Sequence, residues 1–152
     1  MIAGAAAGTL TAGRAARGGL FVFALAGAVA DVDLLFRMHS GPTHSLMAAA
    51  MAGLIAFAVT RRARFAIAIA AAYATHTLLD WMSTDDSPPI GIMALWPFSR
   101  EYYESSAHVF LAISRRYWLA DAWLGNLRAV IRELLILVPV LWIAWWVRRG
   151  PR

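Results

Sequence analysis

Four long apolar runs closed by arginines constrain this chain more than anything else in it. They cover Gly18 to Ala30, Ser45 to Val59, Phe65 to Leu79 and Ile131 to Val147, and a weaker Ala/Gly-rich stretch covers Ile2 to Ala12. Charges fall only at their ends. Hydrophobic residues make up 61% of the chain and charged residues 15%, against roughly 45–50% and about 25% in soluble domains. Too little polar surface remains to cover four such runs in water, although apolar runs of this length also occur as buried soluble helices. The pattern predicts an all-α, polytopic helical membrane protein with about four to five transmembrane helices. At 152 residues a single integral membrane domain over 1–152 is expected. No basic segment follows Met1, so no signal peptide is expected.

Each run is shorter than the roughly 20 residues of an ideal span, with about 17 as the lower limit. The first and third main runs reach that length only by including Asp31, His76 or Asp80, which places these polar residues at membrane-surface depth. Arginine sets the orientation. Arg14 and Arg17 precede one run, Arg61, Arg62 and Arg64 separate two others, and Arg148, Arg149 and Arg152 follow the last. With all eight on the cytoplasmic side, Asp31, Asp33, His39, His44, His76 and Asp80 share the non-cytoplasmic face. The outside loops then carry Arg37, Arg100, Arg115, Arg116, Arg128 and Arg132, against that rule. All 14 basic residues are arginine and cysteine is absent, so neither disulfides nor thiolate ligands enter. Nothing in this charge pattern calls for nucleic acid.

The shared face is rich in metal-ligating groups. His76 and Asp80 are four apart at the end of a helical run and project from one side of it. Asp31 and Asp33 leave the preceding run. On a continuous α-helix they would point about 200° apart, so joint ligation needs the helix to end between them. Ser40-Gly41-Pro42 reads as a turn, with Pro42 in the first turn of the next helix and Ser40 or Gly41 as its cap. His44 then lies in that turn, whose free N–H groups favour an anion. His39 approaches from the loop. Mixed imidazole and carboxylate ligands suit zinc first, with manganese or iron as alternatives. Six candidates exceed the three protein ligands of a typical catalytic zinc, so one or two ions are expected, or some of the six support the ligands or act as base. Asp33 is the first choice for general base.

Asp31-Val32-Asp33, His39-Ser40-Gly41-Pro42-Thr43-His44-Ser45-Leu46, His76-Thr77-Leu78-Leu79-Asp80 and Leu95-Trp96-Pro97-Phe98-Ser99-Arg100 together resemble the YdjM-like family of membrane-bound metal-dependent hydrolases. The resemblance spans about Gly18 to Arg100. It implies a bacterial or archaeal inner membrane protein in which Asp31, Asp33, His39, His44, His76 and Asp80 are metal ligands. A more distant resemblance of that family to zinc-dependent phospholipase C implies a phosphoester substrate. Two departures stand out: Ser40 replaces an arginine common in the family, and the Thr-His pair usual near its N-terminus is absent from Met1 to Gly13.

Residues 83–125 read as a non-cytoplasmic loop rich in Tyr and Trp, as at a membrane interface. From Glu101 to Leu119, Tyr103, Ala107, Phe110 and Tyr117 form one helical stripe, opposite Glu101, Glu104, His108 and Arg115. An interfacial amphipathic helix lidding the site is expected there. Arg100, Arg128 and Arg132 are candidates to hold a phosphate, and His108 to shuttle a proton. The expected function is metal-dependent hydrolysis of a lipid or lipid-linked phosphoester at the outer interface. The rivals are a scaffold with a structural metal, in which small-residue faces such as Gly4-xxx-Gly8 mediate packing or a homo-oligomer, and a metal or proton transporter.

Overall fold

The protein is described by a computed structural model over residues 1–12, 19–36, 40–85, 88–114 and 118–149. Every regular element among them is helical: α1 (Ile2–Ala12), α2 (Gly19–Ala26), α3 (Leu46–Thr60), α4 (Ala63–Trp81) and α5 (Ala120–Arg149), with 3₁₀ segments at Val29–Phe36 and Pro42–His44.

The α3–α4 hairpin organises the molecule. Ser45 caps α3 by accepting the Ala48 N–H at 3.0 Å, the ordinary way to satisfy a first-turn donor. At the other end Arg61 takes a left-handed conformation, φ 56°, and its N–H closes on the Phe57 carbonyl at 2.7 Å. The chain turns back at once into α4. Helices of similar length on either side of a tight corner bring the start of α3 beside the end of α4. That topology carries His44 to His76 and Asp80.

Packing is close because the facing residues are small. Gly53 of α3 lies against Ala66 and Ala70 of α4. The Gly4-xxx-Gly8 face of α1 is filled within the chain: a Cβ on Gly4 would meet the Phe23 and Ala72 carbonyls at 2.9 and 3.1 Å, and one on Gly8 would meet the Phe23 ring at 2.2 Å. Phe23 is fully buried with Ala68, Ile69 and Ala72, and its ring centroid is 5.7 Å from that of Phe65. Such backbone approach is how apolar helices associate where dispersion must replace the hydrophobic effect.

Several boundaries differ from expectation. The run expected to extend to Ala30 is α-helical only to Ala26. A Cβ on Gly27 would meet the Ala72 carbonyl and the Gly4 Cα, both at 3.2 Å, and the chain tightens into i→i−3 hydrogen bonds, Ala28 N–H to Leu25 and Asp31 N–H to Ala28. The last helix starts at Ala120, eleven residues before the expected Ile131, because Arg128, Arg132 and Glu133 lower its hydropathy without opposing helix. α5 is the one helix among the described residues that is long and apolar enough to cross a bilayer by itself; α1 and α3 are apolar but shorter.

The interfacial helix expected from Glu101 to Leu119 is not formed among its described residues. Their backbone groups are used in long-range pairing instead. Ile92 and Tyr103 exchange both N–H···O bonds, at 3.0 and 2.9 Å, and Phe110 binds back to Met82 and Thr84. Gly91, at φ 94°, lets this cap close, since a Cβ there would stand 2.6 Å from the Tyr103 carbonyl. The described residues of 82–114 thus form an irregular cap, tied to the site loop by Met93 N–H to the Ser40 carbonyl and Leu46 N–H to the Ala94 carbonyl, at 2.9 and 3.0 Å.

Candidate metal centre

The 3₁₀ segment after α2 delivers Asp31, the single 3₁₀ turn before α3 delivers His44, and the last turns of α4 deliver His76 and Asp80. One donor atom from each lies within 4.8 Å of the others. His76 Nε2 is 3.2 Å from both Asp31 Oδ1 and Asp80 Oδ2, while His44 Nε2 is 3.0 Å from Asp80 Oδ2 and 3.9 Å from Asp31 Oδ1. The two rings lie 5.2 Å apart between centroids.

These distances fit one shared cation. A tetrahedral site with bonds of about 2.0–2.1 Å has six donor-to-donor edges of about 3.3–3.4 Å, and the four His–Asp separations bracket that value, while all four donor atoms lie within 4.8 Å of one another. His76 Nε2 is buried and meets neither neighbouring carboxylate in hydrogen-bonding geometry. Two imidazoles and two carboxylates, with no thiolate, suit zinc and its first-row neighbours. Among the described residues this is the one such group.

Asp33 stands apart from the four. It is 2% exposed, and its Oδ2 lies 3.2 Å from Nδ1 of His44, the ring nitrogen away from the cluster. The same oxygen accepts the Thr43 hydroxyl at 2.8 Å. The Thr43 carbonyl in turn accepts the Tyr73 hydroxyl of α4 at 2.8 Å. His39 lies outside the described residues, as do Arg14, Arg17, Arg37, Arg115, Arg116, Tyr117 and Arg152.

A cavity of about 430 Å³ opens beside the cluster. Asp31, His76 and Asp80 line it with Ser40, Ser83, Thr84, Asp85 and Glu133, and Leu79, Ile92, Phe110, Leu111 and Ile113 supply apolar wall. Four of the nine acidic residues of the chain therefore face one space. Arg100, Arg128, Arg132 and His108 are exposed and do not line it; His108 instead faces Glu104 at 3.7 Å. The helix end expected at Pro42 to His44 is a separate 3₁₀ turn whose His44 N–H already binds the Gly41 carbonyl at 2.9 Å, so the anion site expected there loses that donor.

Glu133 and Asp85 were not singled out from the sequence as site residues. For Glu133 a signal existed: a carboxylate at the start of the apolar part of a membrane-length helix marks function by default. For Asp85 there was none, because only the closing of the cap brings it to the cavity.

The family model for the YdjM inner membrane protein matches residues 1–150, and the chain belongs to that family. No curated protein and no solved structure matches it.

Proposed function

We propose that this YdjM-family inner membrane protein is a metal-dependent hydrolase that cleaves a lipid or lipid-linked phosphoester at the outer membrane–water interface. The observation that carries the reading is the convergence of four Asp and His donors, three of which, Asp31, His76 and Asp80, stand on the wall of a cavity lined by both polar and apolar residues. Its size falls within the roughly 300–1,000 Å³ of small-molecule sites.

Asp31, His44, His76 and Asp80 would hold the cation, with His44 fully buried as the fixed member. Bound there, a divalent ion supplies polarisation of a phosphoryl oxygen and an activated water. The chain's own groups do the rest. Ser83 and Thr84 orient the polar end of a substrate, and Phe110, Leu111 and Ile113 pack against its apolar end. Proton acceptance falls to a carboxylate that lines the cavity outside the donor group, Asp85 or Glu133, because Asp33 lies behind His44.

The membrane reading extends beyond α5. Leu54, Ile55 and Val59 on α3, Ile67 and Leu78 on α4, and Phe21 and Leu25 on α2 are exposed, large apolar side chains on three helices that favour a lipid surrounding over water. We place these helices in the bilayer as a multi-pass bundle. The arginine corner Arg61-Arg62 with Arg64 then faces the cytoplasm, and the donor group, at the opposite end of α3 and α4, faces outward.

Metal content by inductively coupled plasma mass spectrometry, on detergent-purified wild type beside His76→Ala and Asp80→Ala, is expected to give one equivalent that both variants lose. The metal-loaded protein is then assayed on phospholipids and polyprenyl phosphates. Release of nothing from that panel would sink the hydrolase. A scaffold is the second reading, favoured by the way the same donors tie together the 3₁₀ segment, the 3₁₀ turn and α4; there, chelation unfolds the protein with no turnover to lose.

A further inference from the structure

We infer that Asp33 is a positioning residue that locks His44 in the Nδ1–H tautomer, leaving the Nε2 lone pair facing Asp31, His76 and Asp80. The inference rests on the metal reading above and departs from the expectation that Asp33 is a ligand or the general base.

The argument is a count of hydrogens. A threonine hydroxyl has one to give, and Thr43 gives it to Asp33 Oδ2 at 2.8 Å. Toward Nδ1 of His44, 3.1 Å away, the Thr43 oxygen can then only accept. An ionised carboxylate also only accepts, and Asp33 Oδ2 is 3.2 Å from the same Nδ1. With acceptors in both places, the hydrogen belongs on Nδ1. A neutral imidazole carries one N–H, so Nε2 is left with its lone pair, 3.0 Å from Asp80 Oδ2. A metal-ligating imidazole is neutral, and Nε2 is the nitrogen that faces the donor group.

Ring geometry excludes the simpler role. Nδ1 and Nε2 occupy different edges of the imidazole, so a carboxylate seated on Nδ1 does not reach an ion on Nε2. The arrangement matches the carboxylate–histidine–metal relay, in which the outer carboxylate sets tautomer and ring orientation. Here the relay is anchored twice. Tyr73 of α4 holds the Thr43 carbonyl, and the Ser45 hydroxyl donates to the Pro42 carbonyl at 2.7 Å. The helix that carries His76 and Asp80 thus also fixes the turn that aims His44 at them.

The test uses full-length detergent-solubilised protein, with zinc affinity read by competition against a chromophoric chelator. The ¹⁵N resonances of His44, assigned by difference with His44→Gln, report the tautomer. Wild type is expected to show a protonated Nδ1. Asp33→Asn is expected to keep one zinc per chain with a Kd raised about 10- to 100-fold. Thr43→Ser, which keeps the hydroxyl, is expected to bind as wild type, and Thr43→Val more weakly. Complete loss of zinc in Asp33→Asn, matching His76→Ala, would make Asp33 a ligand and overturn the inference; so would an unchanged Kd, or a His44 protonated on Nε2 or bound through Nδ1. If wild type takes up no zinc the metal reading fails separately, and the same spectrum still decides the tautomer.

Discussion

Asp80→Asn separates a shared-cation geometry from a mere cluster of polar groups. Asp80 Oδ2 lies 3.0 and 3.2 Å from the two histidine nitrogens, with its side chain 28% exposed. Asp31 Oδ1 lies 3.2 and 3.9 Å from them, with its side chain 42% exposed. Asparagine keeps the volume of aspartate and removes its charge, leaving a divalent ion short of one compensating anion. Removing one partner of a largely buried charge set costs about 3–5 kcal/mol, which converts to roughly two to three and a half decades in Kd. For Asp31→Asn, solvent screening reduces the loss to about one decade. The expected order is therefore Asp80→Asn weaker than Asp31→Asn by at least about tenfold. Zinc titration against a chelator of known affinity reads it, with far-UV circular dichroism confirming the helices. Equal losses in the two variants, or the reverse order, would refute a cation centred nearer Asp80.

Other outcomes follow from particular contacts. Gly8→Ala drives a methyl into the buried ring of Phe23 and is expected to cost about 1–3 kcal/mol of stability, seen as a lower melting temperature with zinc affinity unchanged, since α1 supplies no donor. Ser45→Ala removes the α3 cap for about 1 kcal/mol and is expected to weaken zinc binding as well, because His44 precedes it; an unchanged Kd would contradict that coupling. Gly91→Ala places a Cβ 2.6 Å from the Tyr103 carbonyl at φ 94° and is expected to open the cap, read as faster proteolysis within residues 82–114. Acidification is expected to release the metal, because aspartate and histidine bind it deprotonated; dialysis over a pH series with metal analysis checks it.

Local pattern carried much of the architecture and failed where distant parts of the chain compete for the same backbone. The Ala/Gly-rich stretch from Ile2 to Ala12 is α1 residue for residue. The runs from Ser45 and Phe65 became α3 and α4, because a hydrophobic run and a helix share the same local physics. The stripe of Tyr103, Ala107 and Phe110 has helical spacing, yet Tyr103 spends both backbone groups on Ile92 and Phe110 spends its own on Met82 and Thr84. Periodicity carries no information about such distant partners. The cavity was hidden for the same reason: Asp85 and Glu133 are 48 positions apart and meet only through the cap and α5.

Asp31 and Asp33 show how a motif can be legible in kind and not in role. His76 and Asp80 share a helix, so i,i+4 spacing alone places them together. Two aspartates at i,i+2 have no such constraint, and their directions depend on the winding of the chain between them. On the 3₁₀ segment they diverge around one imidazole, with Asp31 on the Nε2 side and Asp33 on the Nδ1 side. That divergence puts a carboxylate on each nitrogen of His44, one within the donor group and one behind it. Such a pair aims a histidine more firmly than two ligands on the same side would, since the ring is held from both edges and its rotation would break a contact at each. Asp-x-Asp ahead of a turn-borne histidine therefore encodes one candidate ligand and one orienting group in this fold.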